Sequence, residues 1–280
     1  MKKLISAHSH LLTNPVDLDF FADRISQIWL LELPNAKEIP GYTRPSTEDE
    51  ILAVAKQFPG LYLPFKWVDF RKGPDQIDRA VEKGFIGFKG ICPQKSYDDE
   101  SYLPVYERIA KYHCPMVFHT GYVSTPEYSK RSPDFCYQAG NMRPASLYTL
   151  AHLFPEITFV AAHFGVPWER ELFDLEIRLL PNFYIDLSGG HSEDILNIVA
   201  EHAHHEALLP GGEKGLFADK FLLGLDAYLG HPQLHQDVYA YCNEFVAELE
   251  KKAAGTVWEK SVPGILAGNA ERIMKENHLL

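Results

Sequence analysis

Leu4-Ile5-Ser6-Ala7-His8-Ser9-His10-Leu11 is the stretch on which the reading of this chain turns. Its apolar lead-in predicts a buried β-strand, and a strand alternates its side chains between two faces. His8 and His10 therefore point the same way from neighbouring pleats, close enough to grip one metal ion. Histidines that end a buried strand are also what a parallel barrel exposes at its catalytic mouth, provided that seven more strands follow.

Seven further short apolar runs do follow. With the first they occupy residues 4–10, 27–33, 61–68, 84–90, 115–120, 157–163, 182–187 and 220–226. Several are apolar on both faces, as a fully buried parallel strand requires. Between them lie longer amphipathic stretches at 47–58, 75–83, 102–112, 143–154, 169–180, 193–203 and 235–253, which predict helices. Three helices stop at Pro-containing breaks, Phe58-Pro59-Gly60, Phe154-Pro155 and Leu180-Pro181-Asn182, just before the next strand. This alternation predicts an α/β chain folded as a (β/α)8 TIM barrel, in one domain over residues 1–280. Segments 33–47 and 124–142, rich in Pro, Tyr, Ser and Gly, follow strands and are expected as loops over the mouth.

The composition narrows the partners. The apolar fraction is 46% over 280 residues, enough for such a core, and the net charge is −11 with no dense Lys/Arg tract. An acidic chain of that kind argues against nucleic acid or an anionic membrane, so a small molecule is the expected substrate. No apolar run approaches the roughly 20 residues that span a bilayer, and the first twelve residues hold no secretory core. Cys92, Cys114, Cys136 and Cys242 form no Cys-x-x-Cys pair and are expected as reduced thiols in the cytoplasm. A homodimer is the commonest assembly for such an enzyme.

The polar residues fall at strand ends. Lys66, Lys89, His119, His163 and Asp226 each close an otherwise apolar strand, as His8 and His10 do, and in a barrel those ends meet at one mouth. Met116-Val117-Phe118-His119-Thr120-Gly121 and Phe159-Val160-Ala161-Ala162-His163-Phe164-Gly165 share one pattern: an apolar run, His, one residue, then Gly. The glycine lets the backbone turn out of the strand and leaves room beside the imidazole. Phe221-Leu222-Leu223-Gly224-Leu225-Asp226 ends in a carboxylate that is costly to bury without a partner, and a cation supplies one. Imidazoles with one carboxylate form an N/O donor set suited to Zn²⁺ or Mn²⁺. His202, His204 and His205 sit at a predicted helix end and are expected on a polar surface, while His191 trails the seventh strand into a mouth loop.

On these residues the chain resembles the amidohydrolase superfamily, in the amidohydrolase 2 branch related to aminocarboxymuconate semialdehyde decarboxylase and pyrone dicarboxylate lactonase. The resemblance runs from Ile5 to Gly268-Asn269-Ala270, which is similar to the family's closing signature. It implies a metal held by His8, His10, His119 and Asp226, with His163 off the metal and used in catalysis. Lys89 matches the position that bridges two metals in binuclear branches, so it is a candidate for a second metal or for substrate. One ion, Zn²⁺ before Mn²⁺, is the implied cofactor. The strand 8 segment Gly224-Leu225-Asp226-Ala227-Tyr228 departs from the branch's usual Gly-Ser-Asp, so substrate cannot be copied from a relative.

The implied reaction is hydrolysis of a small carbonyl compound, a lactone, ester or amide that carries a carboxylate, by metal-activated water. Asp226 would take the water proton and His163 would polarise the carbonyl or orient the water. Lys66, Lys89 and Arg143 are candidate partners for the carboxylate, and Tyr122, Trp168 and Tyr228 candidate pocket walls. Non-oxidative decarboxylation on the same scaffold is the alternative, and a metal-binding barrel without chemistry a third. Resorcylate-type decarboxylases of the branch often carry Glu at the first position of the strand 1 motif, whereas this chain carries His8.

Overall fold

The computed structural model describes residues 2–35, 44–123, 139–189 and 192–279. Seven strands, β1 (Ile5–Leu11), β2 (Gln27–Leu31), β3 (Tyr62–Trp67), β4 (Gly87–Gly90), β5 (Met116–His119), β6 (Phe159–Ala162) and β7 (Phe183–Asp186), pair side by side in chain order. Each pair is parallel. After an antiparallel hairpin of β8 (Glu206–Leu208) and β9 (Lys214–Leu216), β10 (Phe221–Leu222) joins β7 and β11 (Ala227–Leu229) joins β1. The backbone between β10 and β11 closes the ring. Ala7 N–H donates to Leu223 O at 2.8 Å, and the N–H groups of Leu225 and Asp226 donate to His8 O at 3.1 and 2.8 Å. β10, residues 223–226 and β11 are thus one interrupted eighth stave, and the fold is the expected (β/α)8 barrel.

The helices form where the sequence supplies their ends. Glu48–Gln57 opens on a capping box, Thr47 with Glu50, and Asp75–Lys83 closes on Gly84 at φ 104. Leu103–Lys111, Pro144–Leu153 and Pro232–Ala253 carry proline in the first turn, where its missing N–H costs nothing.

Two apolar layers follow from strand alternation. Ile5, Ala7, Trp29, Leu31, Leu63, Phe65, Val117, Val160, Ala162, Tyr184 and Leu222 fill the barrel, while their neighbours along each strand pack outward against helices. The closing helix, Asn269–Glu276, adds Ala270, Ile273 and Met274 to the inner layer. It is tied to the strands' starts by Asn269 Nδ2 donating to Phe221 O at 2.9 Å and Asn277 Nδ2 to Thr158 Oγ1 at 3.2 Å. The opposite end, where the strands finish, stays available for chemistry.

β1 breaks the alternation once. Its register against β2 runs Ser6 to Ile28 and then Ser9 to Leu30, three residues against two, which is a β-bulge. Ile5 and Ala7 face inward and Leu4 and Leu11 outward, so a regular strand that kept Ile5 and Ala7 inside would turn His8 and His10 outward. The extra residue resets the count, and both imidazoles face the barrel interior.

Several expected boundaries move. β4 starts at Gly87, since Gly84 is consumed by the helix cap. The expected helix over 169–180 is Arg170–Asp174 and a 3-10 turn, Ile177–Leu179, separated by Glu176 at φ 52. The expected strand over 220–226 is split because Asp226 adopts φ 47. The hairpin and the closing helix are additional to the elements expected. Segment 124–138, Cys136 and His191 lie outside the described residues.

Candidate active site

His10 donates its Nδ1–H to Leu31 O at 2.8 Å, and His8 its Nδ1–H to Asp186 Oδ2 at 2.6 Å. Each ring therefore presents the lone pair of Nε2 to the chamber. The two Nε2 atoms stand 3.2 Å apart, and Asp226 Oδ1 lies 3.4 Å from the first and 3.1 Å from the second. Three electron-pair donors converge, with no hydrogen between the two nitrogens. A cation resolves that repulsion, and among the described residues His8, His10 and Asp226 are the group whose donor atoms could share one.

Lys89 reaches the same point from β4. Its Nζ lies 3.2 Å from His8 Nε2, fully buried, and Gly87 beneath it gives its side-chain space to Phe65, whose ring would stand 2.2 Å from a Cβ there. His163 turns out of β6 at φ 65, its ring centroid 4.9 Å from that of His8 and 4.5 Å from that of His119. Both His163 and Asp226 occupy the left-handed region that disfavours side chains, a conformation found at functional sites when surrounding structure imposes it.

Burial sets the electrostatics. It holds the His8 and His119 imidazoles well below their ordinary range and pushes His163 down to about 4, so all three are neutral at pH 7. Burial also lowers the Lys89 amine to about 8, against the pull of Asp226 and Asp186. Burial alone would raise Asp226, but the imidazoles of His8, His163 and His10 around it keep its carboxyl well below the usual carboxylate range. Neutral imidazoles beside an ionised carboxylate are the protonation states a divalent ion requires.

The remaining candidates divide. His119 faces the chamber, its carbonyl held by the Tyr97 hydroxyl at 3.0 Å, but its Nε2 is 3.3 Å from Tyr122 O and outside the three-donor cluster. Tyr228 borders the site, its ring 5.4 Å from that of His10 and partly exposed. Tyr122 is exposed at the rim. Arg143 is exposed and committed to Glu171 through Nε at 2.8 Å, with its guanidinium 5.5 Å over the Trp168 ring. Lys66 does not reach the chamber. It follows inward Phe65 and shares a face with outward Phe88, and its Nζ is held by Glu32 Oε2 at 2.7 Å and Glu48 Oε2 at 2.6 Å.

Two residues escaped the sequence reading. Asp186, fully buried at the end of β7, accepts from His8 and, at 2.5 Å, from the Ser188 N–H. Ser188 Oγ lies 3.1 Å from both His8 Nδ1 and His163 Nδ1. The signal was present in Ile185-Asp186-Leu187, a carboxylate inside an apolar run, the same sign that marked Asp226. Gly224 leaves the space that Asp186 fills, because a Cβ there would stand 2.0 Å from Asp186 Oδ1.

A family model described as Amidohydrolase (Amidohydro_2) matches residues 42–273, a span that begins after His8 and His10. No curated protein matches the chain. Among solved structures, 5-carboxyvanillate decarboxylase from Sphingomonas paucimobilis is similar at 14% identity, covering 98% of this chain and 99% of that one, with a TM-score of 0.61. A probable 2-pyrone-4,6-dicarboxylic acid hydrolase from Acinetobacter baumannii, with citric acid bound, gives 14%, 98%, 99% and 0.59 for the same measures. A dihydroxybenzoic acid decarboxylase from Polaromonas sp. JS666, with bound manganese and 2-nitroresorcinol, gives 15%, 99%, 98% and 0.60. At these identities the likeness bears on the fold.

Proposed function

Because the chain belongs to the amidohydrolase family, we propose that it is a metal-dependent hydrolase of a small carbonyl compound, a lactone, ester or amide bearing a carboxylate. The observation that carries this reading is the convergence of His8 Nε2, His10 Nε2 and Asp226 Oδ1, each histidine locked by its Nδ1–H. One divalent ion accounts for the three donors. The N/O set suits Zn²⁺ or Mn²⁺, and the manganese in the Polaromonas decarboxylase supports the second. When bound, such an ion would lower the pKa of a coordinated water towards ~7.

The chain's own groups would do the rest. Asp226, ionised and 3.9 Å from His163 Nδ1, would accept the water proton, and His163 would polarise the substrate carbonyl. His119 joins the ligands if its Nε2 exchanges the Tyr122 carbonyl for the ion. The Lys89 amine is the buried cation placed to meet a substrate carboxylate; Lys66 and Arg143 are spent on Glu32, Glu48 and Glu171. Cys114 and Cys242, both buried thiols, accord with a reducing compartment such as the cytoplasm. Among the described residues no helix is long and apolar enough to cross a membrane.

Non-oxidative decarboxylation of an aromatic acid is the second reading. Two of the three solved structures described above are decarboxylases that share this barrel, and the site offers the same cation position and buried amine to a carboxylate. One experiment separates the readings. Metal-analysed protein is given 2-pyrone-4,6-dicarboxylate, 5-carboxyvanillate and 2,6-dihydroxybenzoate, and ring opening is scored against carbon dioxide release. Protein that binds no added divalent ion, with His8→Ala indistinguishable from wild type in metal content, would overturn both.

A further inference from the structure

We propose that Ser188 is a positioning residue that fixes the His163 imidazole as its Nε2–H tautomer, so that His163 meets a substrate as a hydrogen-bond donor and not as a base. The role towards substrate rests on the reading above; the tautomer does not.

The argument is a count of hydrogens along the chain Asp186, His8, Ser188, His163. Asp186 is occupied by donors on both oxygens: Oδ1 by the Ser188 N–H at 2.5 Å and Oδ2 by His8 Nδ1 at 2.6 Å. The short second contact places a hydrogen on His8 Nδ1. Ser188 has a single O–H, and among the described residues its Oγ contacts two atoms, His8 Nδ1 and His163 Nδ1, each at 3.1 Å. His8 Nδ1 already carries a hydrogen and cannot accept another. The hydroxyl therefore donates to His163 Nδ1, that nitrogen spends its lone pair, and the ring hydrogen of a neutral imidazole sits on Nε2. Asp226 Oδ2, at 3.9 Å from the same Nδ1, is too distant to hold a competing hydrogen bond.

The backbone enforces the arrangement. Gly189 follows Ser188 at φ 78, and a Cβ there would lie 2.6 Å from His163 Nδ1. Ser188-Gly189 thus forms a wall against which the ring rests, hydroxyl on one atom and bare backbone beside it. One buried carboxylate, Asp186, directs a lone pair of His8 into the three-donor cluster and, through Ser188, a proton of His163 away from Nδ1.

The test is long-range ¹H–¹⁵N correlation of histidine-labelled, chelator-treated protein at pH 7.5, without substrate, with His163 assigned from its absence in His163→Asn. A pyridine-type Nδ1 and a pyrrole-type Nε2 are expected in wild type and in Ser188→Thr. Ser188→Ala should lose that pattern, and on whichever of the three probe acids turns over its kcat should fall roughly tenfold with KM within twofold. A pyrrole-type Nδ1 or a doubly protonated ring in wild type overturns the proposal even if no variant folds. So does an unchanged tautomer in Ser188→Ala. Inactivity of wild type on all three acids, with the expected tautomer present, counts against the proposed reaction and leaves the Ser188 assignment standing.

Discussion

Asp186 Oδ2 accepts the Nδ1–H of His8 at 2.6 Å, although 178 residues separate the two in sequence. Neither touches solvent. The contact fixes the tautomer and the ring plane of a metal-ligand candidate, the part that carboxylates behind zinc-bound histidines play. Asp186→Asn is expected to weaken Zn²⁺ or Mn²⁺ affinity about 10- to 100-fold, read by competition with a chelator of known affinity. Unchanged affinity would show that His8 is oriented by something else.

Gly224 offers a second way to disturb the same carboxylate without changing its chemistry. A methyl group there would stand 2.0 Å from Asp186 Oδ1, so Gly224→Ala must displace Asp186 or the backbone. A loss of about 1–3 kcal/mol in urea unfolding is expected, with weakened metal retention. Gly140→Ala, which meets nothing within 4 Å, is the control and should be near neutral.

Lys66 supplies a test of a residue excluded from the chamber. Its ammonium joins Glu32 and Glu48 at 2.7 and 2.6 Å, and Glu32 is buried. Lys66→Met would strand the Glu32 carboxylate, at a cost of about 2 kcal/mol by chemical denaturation. Catalytic constants should remain within twofold; a large rise in KM would return Lys66 to the substrate site.

Lys220 makes stability depend on pH from outside the site. Fully buried, its Nζ donates to Leu180 O at 2.6 Å and Phe183 O at 3.2 Å, and burial pushes its pKa from 10.5 down to about 7. The folded value lies below the unfolded one, so between about pH 7 and 10.5 the unfolded chain binds the extra proton and stability rises with pH. From pH 7 to 9 the gain from this group is about 2 kcal/mol. Denaturation of wild type and Lys220→Met at both pH values should differ by that slope; parallel pH dependences would show that Lys220 keeps its charge.

What the sequence disclosed, and what it did not, follows from range. The staves were legible because each is a local run of apolar residues, and His8, His10, His163 and Asp226 were legible because polar groups ending such runs need a reason. Asp186 carried the same sign but sits between Ile185 and Leu187, one residue before the expected end of its strand, and its purpose appears only when β1 is brought to β7. Lys66 was misplaced for the opposite reason: a strand end was equated with the mouth, whereas alternation after Phe65 turns it towards the helices. The split eighth stave depends on the backbone of Asp226, which no composition or period announces.

The bulge in β1 has a further consequence. Preserving both histidines does not preserve the centre, because parity, not identity, decides whether they look into the barrel or into the helical shell. The same residues paired with β2 without the bulge would keep the motif intact and hide it, whereas losing the extra residue together with the bulge would leave both rings inside. A homologue is therefore better judged by the spacing from its first inward-facing apolar side chain to His-x-His, taken together with whether its first strand carries the bulge, than by the presence of the motif.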